Sequence, residues 1–192
     1  MTDEIQFGDV KSRGPDVALR PDENHYFLVE PVFDEVAAED LPIYVDLDVW
    51  IEMEKHAREN TNVELGGVFL GHQAHDRSGK PFVVVRDSIR AKHYEATRGS
   101  FKFTHETWQQ IARDREQMPE GTQMVGWYHT HPGWGVFLSG MDDFICENFF
   151  ANPLDLALVI DPCKNDRGWF QWKNKTTELS SAVYVIAPTS GK

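Results

Sequence analysis

The chain has 192 residues, 41% hydrophobic and 26% charged, which places it in the range of one globular domain built around a single sheet. Its 19 basic and 31 acidic residues leave a formal charge of −12, a balance that repels phosphate backbones and argues against nucleic-acid binding. No apolar run reaches the roughly 18 residues of a membrane span, and the opening MTDEIQFGDV lacks the basic and apolar regions of a secretory leader. Two cysteines, Cys146 and Cys163, make neither a disulfide framework nor a Cys-x-x-Cys metal site, which points to a reduced, cytoplasmic setting.

Residues 1–40 carry Gly8, Gly14, Pro15, Pro21 and Pro31 among many acids without sustained periodicity, and read as an acidic arm, partly extended or disordered. Within it, FLVEPVF (residues 27–33) is apolar enough to be a strand or a segment docked on the body. Residues 41–192 form the folded domain. Asp46 or Asp48 can cap a helix through about Glu59 with Val49, Trp50, Met53 and Ala57 on one face, and Asn60 suits its end. VELGGVFLG (residues 63–71) reads as a buried strand whose glycines allow close backbone approach, and residues 82–89 as a valine-rich second strand. Residues 92–99 read as a loop and residues 100–103 as a short strand.

Thr104 can cap a helix to about Met118, with Trp108, Ile111 and Ala112 on its apolar face. A strand over residues 123–129, a loop, and a helix from Ser139 to near Phe150 follow, with Cys146 as a small core residue. Strands over residues 154–160, 169–173 and 182–187 complete the chain. Strands interleaved with helices predict an α/β or α+β sheet protein.

The stretch GWYHTHPGWGVFLSGMDDF, residues 126–144, carries the chemistry. Residues two apart on a strand face the same way, so His129 and His131 can present both imidazoles to one point, and Pro132 stops the strand. Ser139 opens a helix and Asp142 lies one turn into it, where its carboxylate can be a third ligand. Three protein ligands with a fourth position open is the arrangement of a catalytic zinc. Ser-x-x-Asp alone is also a capping box, and a lone His-x-His pair is more often structural. The combined pattern of five fixed types arises by chance about once in three million windows, which makes coincidence a poor account.

The stretch resembles the signature of the JAMM (MPN-domain) zinc metalloproteases, and WYHTHPG with FLSGMD is especially similar to the deubiquitinases of the proteasome lid and signalosome. Glu64 in NVELGGVFLG fits the family's glutamate, and the resemblance runs from about Pro42 to Pro188. It implies a single MPN domain, a cytidine-deaminase-like mixed β-sheet flanked by helices. It also implies that His129, His131 and Asp142 hold one zinc ion. Glu64 would then take the proton of the attacking water and pass it to the leaving amine, while the Ser139 hydroxyl donates to the developing oxyanion. The implied activity is hydrolysis of the peptide or isopeptide bond after the C-terminal tail of ubiquitin or a ubiquitin-like protein. A non-catalytic MPN scaffold and a zinc amidohydrolase for small molecules are the alternatives, and a retained Glu64 speaks against the scaffold.

Residues 91–103 occupy the place where the family often forms a hairpin that pairs with a substrate's extended tail. The aromatic side chains of Phe101 and Phe103 there, and of Trp134 and Phe137 between the ligands, are candidates for lining a substrate groove. His72 and His75 read as part of a polar turn, and Asp143 as negative charge at a helix start. Asp161-Pro162 is followed only by CKNDRG before the next strand. That shortness resembles the compact bacterial members of the family, some of which act with activating and conjugating enzymes on ubiquitin-like or sulfur-carrier proteins.

Overall fold

The computed structural model describes residues 16–21, 26–28 and 36–187. In chain order the elements are β1 (Asp16–Val17), β2 (Tyr26–Leu28), β3 (Ile43–Asp46), α1 (Leu47–Ala57), β4 (Gly66–His75), β5 (Pro81–Arg90), β6 (Tyr94–Thr97) and β7 (Ser100–Phe103). They continue with α2 (His105–Arg115), β8 (Gln123–Thr130), α3 (Gly140–Phe149), β9 (Leu156–Asp161), β10 (Asp166–Lys173), β11 (Thr176–Leu179) and β12 (Val183–Ile186). Among the described residues ten strands form one mixed sheet in the order β11-β10-β9-β8-β4-β5-β3-β12-β2, with β1 beside the far end of β4. Strands β6 and β7 form a separate hairpin. No helix of the described residues is long and apolar enough to cross a membrane.

The sheet is buried on both faces, and strand alternation sorts its side chains. Phe69 of β4 and Tyr128 of β8 face α1, where they pack with Val49, Met53, Val83, Val85, Leu158 and Trp169. Their neighbours Val68, Leu70 and Trp127 face the opposite way, into a core with Phe101, Ile111, Ile145 and Phe150 under α2 and α3. The close spacing of β4 and β5 needs glycine: a Cβ on Gly67 would lie 2.3 Å from the Ile89 carbonyl oxygen and 2.8 Å from the Tyr128 ring. One buried polar pair crosses the α1 layer, with His56 Nδ1 2.9 Å from the Tyr128 hydroxyl. Burial, with the nearby Arg90 charge, pushes the His56 pKa down to about 4.

Helix α1 starts after Asp46, but that side chain makes no capping bond because its carboxylate pairs with Arg86 at 2.7 Å. The helix ends at Ala57, two residues before the expected Glu59, and Asn60 accepts from the Asn62 amide in the following turn. Thr104 caps α2 in a reciprocal box with Thr107, and the helix stops at Arg115 rather than near Met118.

Several expectations are corrected. Residues 92–99 are not all loop, since Tyr94–Thr97 form β6, paired antiparallel with β7. His72 and His75 lie on the outer half of β4, and the turn begins only at Asp76, whose carboxylate accepts from the Ser78 and Lys80 amides. Strands β3 and β11 were not expected. The four residues IYVD run directly into a helix, and Thr176–Leu179 has too few apolar positions to show as a strand. In the arm, β1 pairs in parallel with β4, and β2 pairs antiparallel with β12. The expected segment 27–33 overlaps β2 only at Phe27 and Leu28; its remainder lies outside the described residues. Cys146 is buried, and the Trp127 indole N–H points at its sulfur at 3.4 Å.

Candidate metal centre

The site is built where β8 ends and α3 begins. Strand β8 pairs antiparallel with β4 and parallel with β9, so its C-terminal end is held on both sides. His129 lies in that end, wholly buried and stacked on Trp127 at 4.5 Å and 8°. His131 follows the strand, with its backbone N–H still donating to the Ile160 carbonyl at 2.9 Å. The two imidazoles converge, Nε2 to Nε2, at 2.9 Å. His131 Nδ1 lies 3.2 Å from the Gly135 carbonyl oxygen. A carbonyl can only accept, so Nδ1 is the donor in this contact, and in the neutral ring Nε2 is then the lone pair.

The capping box of α3 fixes the carboxylate. Asp142 Oδ2 accepts the Ser139 amide at 2.7 Å, and the Ser139 hydroxyl accepts the Asp142 amide at 3.3 Å. In that pose Asp142 Oδ1 lies 3.2 Å from His129 Nε2, and Oδ2 lies 3.7 Å from His131 Nε2. Glu64 comes from the residues leading into β4, and its carboxylate lies 4.0 Å from His131 Nε2. Its backbone is pinned from two sides. The Glu64 amide donates to the Thr97 carbonyl at 2.8 Å, and the Leu65 amide donates to the Thr130 hydroxyl at 2.8 Å. One ligand atom each from Glu64, His129 and His131 lie within 4.8 Å of one another.

All four side chains are buried, between 0% and 4% exposed, and their protonation follows from that crowding. Burial pushes the Glu64 pKa up to about 7, with the Asp142 charge adding to it and His131 opposing. Burial works against charge on Asp142, yet its hydrogen bonds with His129 and His131 hold it well below the usual carboxylate range. Burial keeps His129 neutral. For His131 burial is outweighed by its bond to Asp142 and by the Glu64 charge, so its pKa is raised.

Two nitrogen lone pairs and two carboxylates this close need positive charge among them. Tetrahedral ligands about 2.0–2.1 Å from zinc stand about 3.4 Å apart. The 2.9, 3.2 and 3.7 Å separations bracket that value, and imidazole with carboxylate is a donor set that zinc accepts. These residues therefore fit the ion, as His129, His131 and Asp142 with Glu64 at the open side.

The group opens onto a cleft lined by Glu64, Gly99, Ser100, Phe101, His131, Trp134, Phe137, Ser139, Met141 and Asp142. Trp134 is 57% exposed, and its indole N–H donates across to the Arg98 carbonyl at the hairpin tip, 3.0 Å away. The Phe137 ring lies 4.7 Å from that of His131. Phe101 reaches the cleft from below, whereas Phe103 turns into the core against Trp108 and Trp127. Asp143 accepts from the Thr177 hydroxyl rather than joining the ligand group. Sequence reasoning missed Thr130, which ties Glu64 to the histidine strand. It also saw in Asp161 only the start of a short connection to the next strand; the one signal for either was its position beside a ligand or at a strand end.

The profile of prokaryotic homologs of the JAB domain matches residues 46–175. COP9 signalosome complex subunit 5 of Eremothecium gossypii is 32% identical over 137 residues, covering 66% of this chain and 31% of that protein. Ubiquitin carboxyl-terminal hydrolase RPN11 of Saccharomyces cerevisiae is 29% identical over 128 residues, covering 66% of this chain and 40% of that protein. The chain thus spans between about a third and two fifths of the length of these relatives. In fold it is similar to protein DSY2949 of Desulfitobacterium hafniense, with a TM-score of 0.57 at 21% identity, covering 76% of this chain and 92% of that one.

Proposed function

The chain belongs to the family of prokaryotic homologs of the JAB domain, and we propose that within it the protein is a zinc-dependent isopeptidase acting at the C-terminal tail of ubiquitin or a ubiquitin-like protein. The observation that carries this reading is the buried convergence of His129, His131, Asp142 and Glu64 at the floor of an open cleft. Three donors suffice to hold the ion, and a fourth, buried carboxylate beside them that is not needed as a ligand is placed as a general base rather than as part of a structural site.

His129, His131 and Asp142 would hold the zinc ion, which when bound would supply Lewis acidity for the scissile carbonyl and for water. Glu64 accepts the proton of the attacking water and delivers it to the leaving amine. Its anchorage through Thr97 and Thr130 keeps its carboxylate over the cleft. The Ser139 oxygen accepts the Asp142 amide, which leaves the hydroxyl proton to donate to a developing oxyanion. Each strand of the β6–β7 hairpin keeps an edge that no described strand pairs, which supports strand addition by an extended tail. Phe101, Trp134 and Phe137 flank that path. Activating and conjugating enzymes of a modifier pathway are the expected partners. Two free thiols support a reducing compartment such as the cytoplasm.

Elemental analysis of the purified protein tests the reading. We expect about one zinc per chain, lost in the His131→Ala, Asp142→Ala double variant. Glu64→Gln should keep the metal and lose cleavage of ubiquitin-like conjugates. A folded protein that takes up no zinc would sink the proposal.

A further inference from the structure

The buried carboxylate at the end of β9 has no part in the chemistry above. Asp161 is 0% exposed and carries no cationic partner among the described residues. Four backbone N–H groups surround it instead. Its Oδ1 accepts from Gly133 at 2.9 Å, from Cys163 at 2.9 Å and from Lys164 at 3.1 Å. Its Oδ2 accepts from Gly135 at 2.7 Å. Two of these donors belong to Asp161's own turn, and two belong to the loop between the zinc-site residues His131 and Ser139.

The loop is shaped for this contact. Gly133 and Gly135 adopt φ of 85° and 89°, a region open to glycine but costly for other residues. Those conformations turn both amides inward onto one carboxylate. The Gly135 unit then does two jobs, since its N–H is held by Asp161 while its carbonyl lies 3.2 Å from His131 Nδ1. A carboxylate, a fixed glycine and an imidazole are thus linked in series, ending at the Nε2 that faces the metal centre. Register places the carboxylate there: β8 and β9 pair in parallel through Thr130 and Ile160, so the next residue of β9 meets the loop that follows β8.

We infer that Asp161 is a positioning residue for the metal centre: its four backbone contacts fix the Gly133–Gly135 loop, and through the Gly135 carbonyl they hold His131 in the tautomer that offers Nε2 to zinc. The inference rests on the zinc reading for its consequence but not for its geometry. Groups that orient a ligating histidine usually govern metal affinity by 10–100-fold.

The test uses the full chain and the isosteric variant Asp161→Asn, which sets an amide N–H₂ against backbone donors. Zinc affinity, measured by competition with a chromophoric chelator, is expected to weaken by about 10–100-fold. In metal-free ¹⁵N-labelled protein, at a pH where imidazoles are neutral, His131 should carry its proton on Nδ1 in the parent and populate the Nε2–H form in the variant. Asp40→Asn is the control for simple loss of stability. That carboxylate is likewise buried and accepts from the Ser181 amide and hydroxyl, away from the metal centre. Its zinc affinity should match the parent's.

A folded Asp161→Asn protein with parental zinc affinity would overturn the inference. So would an Nε2–H tautomer of His131 in the parent, a result that needs no variant to fold. A parent that binds no zinc would remove the isopeptidase reading, and the tautomer measurement would still judge Asp161 on its own.

Discussion

Replacing Thr130 with valine should separate the anchoring of Glu64 from the packing around it. Thr130 sits between the two histidines, wholly buried, and its hydroxyl accepts the Leu65 amide at 2.8 Å. Valine has nearly the same shape, so the pocket stays filled while the Leu65 N–H, itself in a buried residue, faces a methyl group. An unsatisfied buried amide costs about 1–3 kcal/mol. Because no cavity forms, that penalty is the whole expected loss of stability, readable by urea unfolding. The anchor lies one residue from Glu64, so the proposed peptidase turnover should slow with it while metal content stays at the parent's level. Thr130→Ser keeps the acceptor and loses only a methyl, so Leu65 amide exchange should stay slow in that variant and quicken in Thr130→Val. If the valine protein stays within about 0.5 kcal/mol of the parent and its Leu65 amide remains protected, the hydroxyl does not hold Glu64 and the reasoning fails.

Other perturbations have equally definite outcomes. His56 has a folded pKa near 4 against an ordinary value near 6.5. The unfolded chain therefore binds a proton that the folded one refuses between those values, so this contribution is present above about pH 6.5 and lost as pH falls to 4. It is worth about 3 kcal/mol, and unfolding of His56→Phe across that window should lack this share of the parent's acid sensitivity. Gly67→Ala places a methyl 2.3 Å from the Ile89 carbonyl oxygen and against the buried Tyr128 ring. The carbonyl cannot yield without opening the β4–β5 ladder, so a loss of about 1–3 kcal/mol or more is expected, and unchanged thermal unfolding would contradict the packing. Asp40→Ala removes the carboxylate that ties Ser181 and Lys173 to the segment before β3. Loss of that buried network should lower stability by about 2–4 kcal/mol in calorimetry, without altering zinc content.

The parts of the fold legible in the sequence are those with local causes. Thr104 and Ser139 announce α2 and α3, because a capping box is written within four residues. The valine-rich β5 shows itself by composition. Strand β3 was hidden because only three of its residues are buried apolar ones and Asp46 reads equally well as a helix start. In the structure that carboxylate turns to Arg86, a partner 40 positions away, and the helix begins without its help. The outer half of β4 looked like a turn because His72 and Gln73 are polar, yet the ladder to β5 runs on through His75. Polar residues are tolerated there because that part of the strand is less covered.

The candidate site divides along the same line. His129, His131, Ser139 and Asp142 fall within one strand end and one helix start, so their spacing alone brings them together. Glu64 was legible only through resemblance, since nothing local ties it to residues more than 60 positions on. What carries it there is the β4–β8 ladder, in which Gly66 pairs with His129, together with the Leu65–Thr130 contacts. Thr130 and Asp161 were missed for a sharper reason. Their side chains act on backbone groups rather than on other side chains, and such contacts follow from strand register, which no motif records. A metal centre of this kind has a short readable part that supplies the ligands and a longer unreadable part that aims them. The second part decides whether His131 presents a lone pair or a proton. Substitutions at Thr130 and Asp161, which touch no substrate, should therefore change the chemistry more than exchanges at the exposed Trp134.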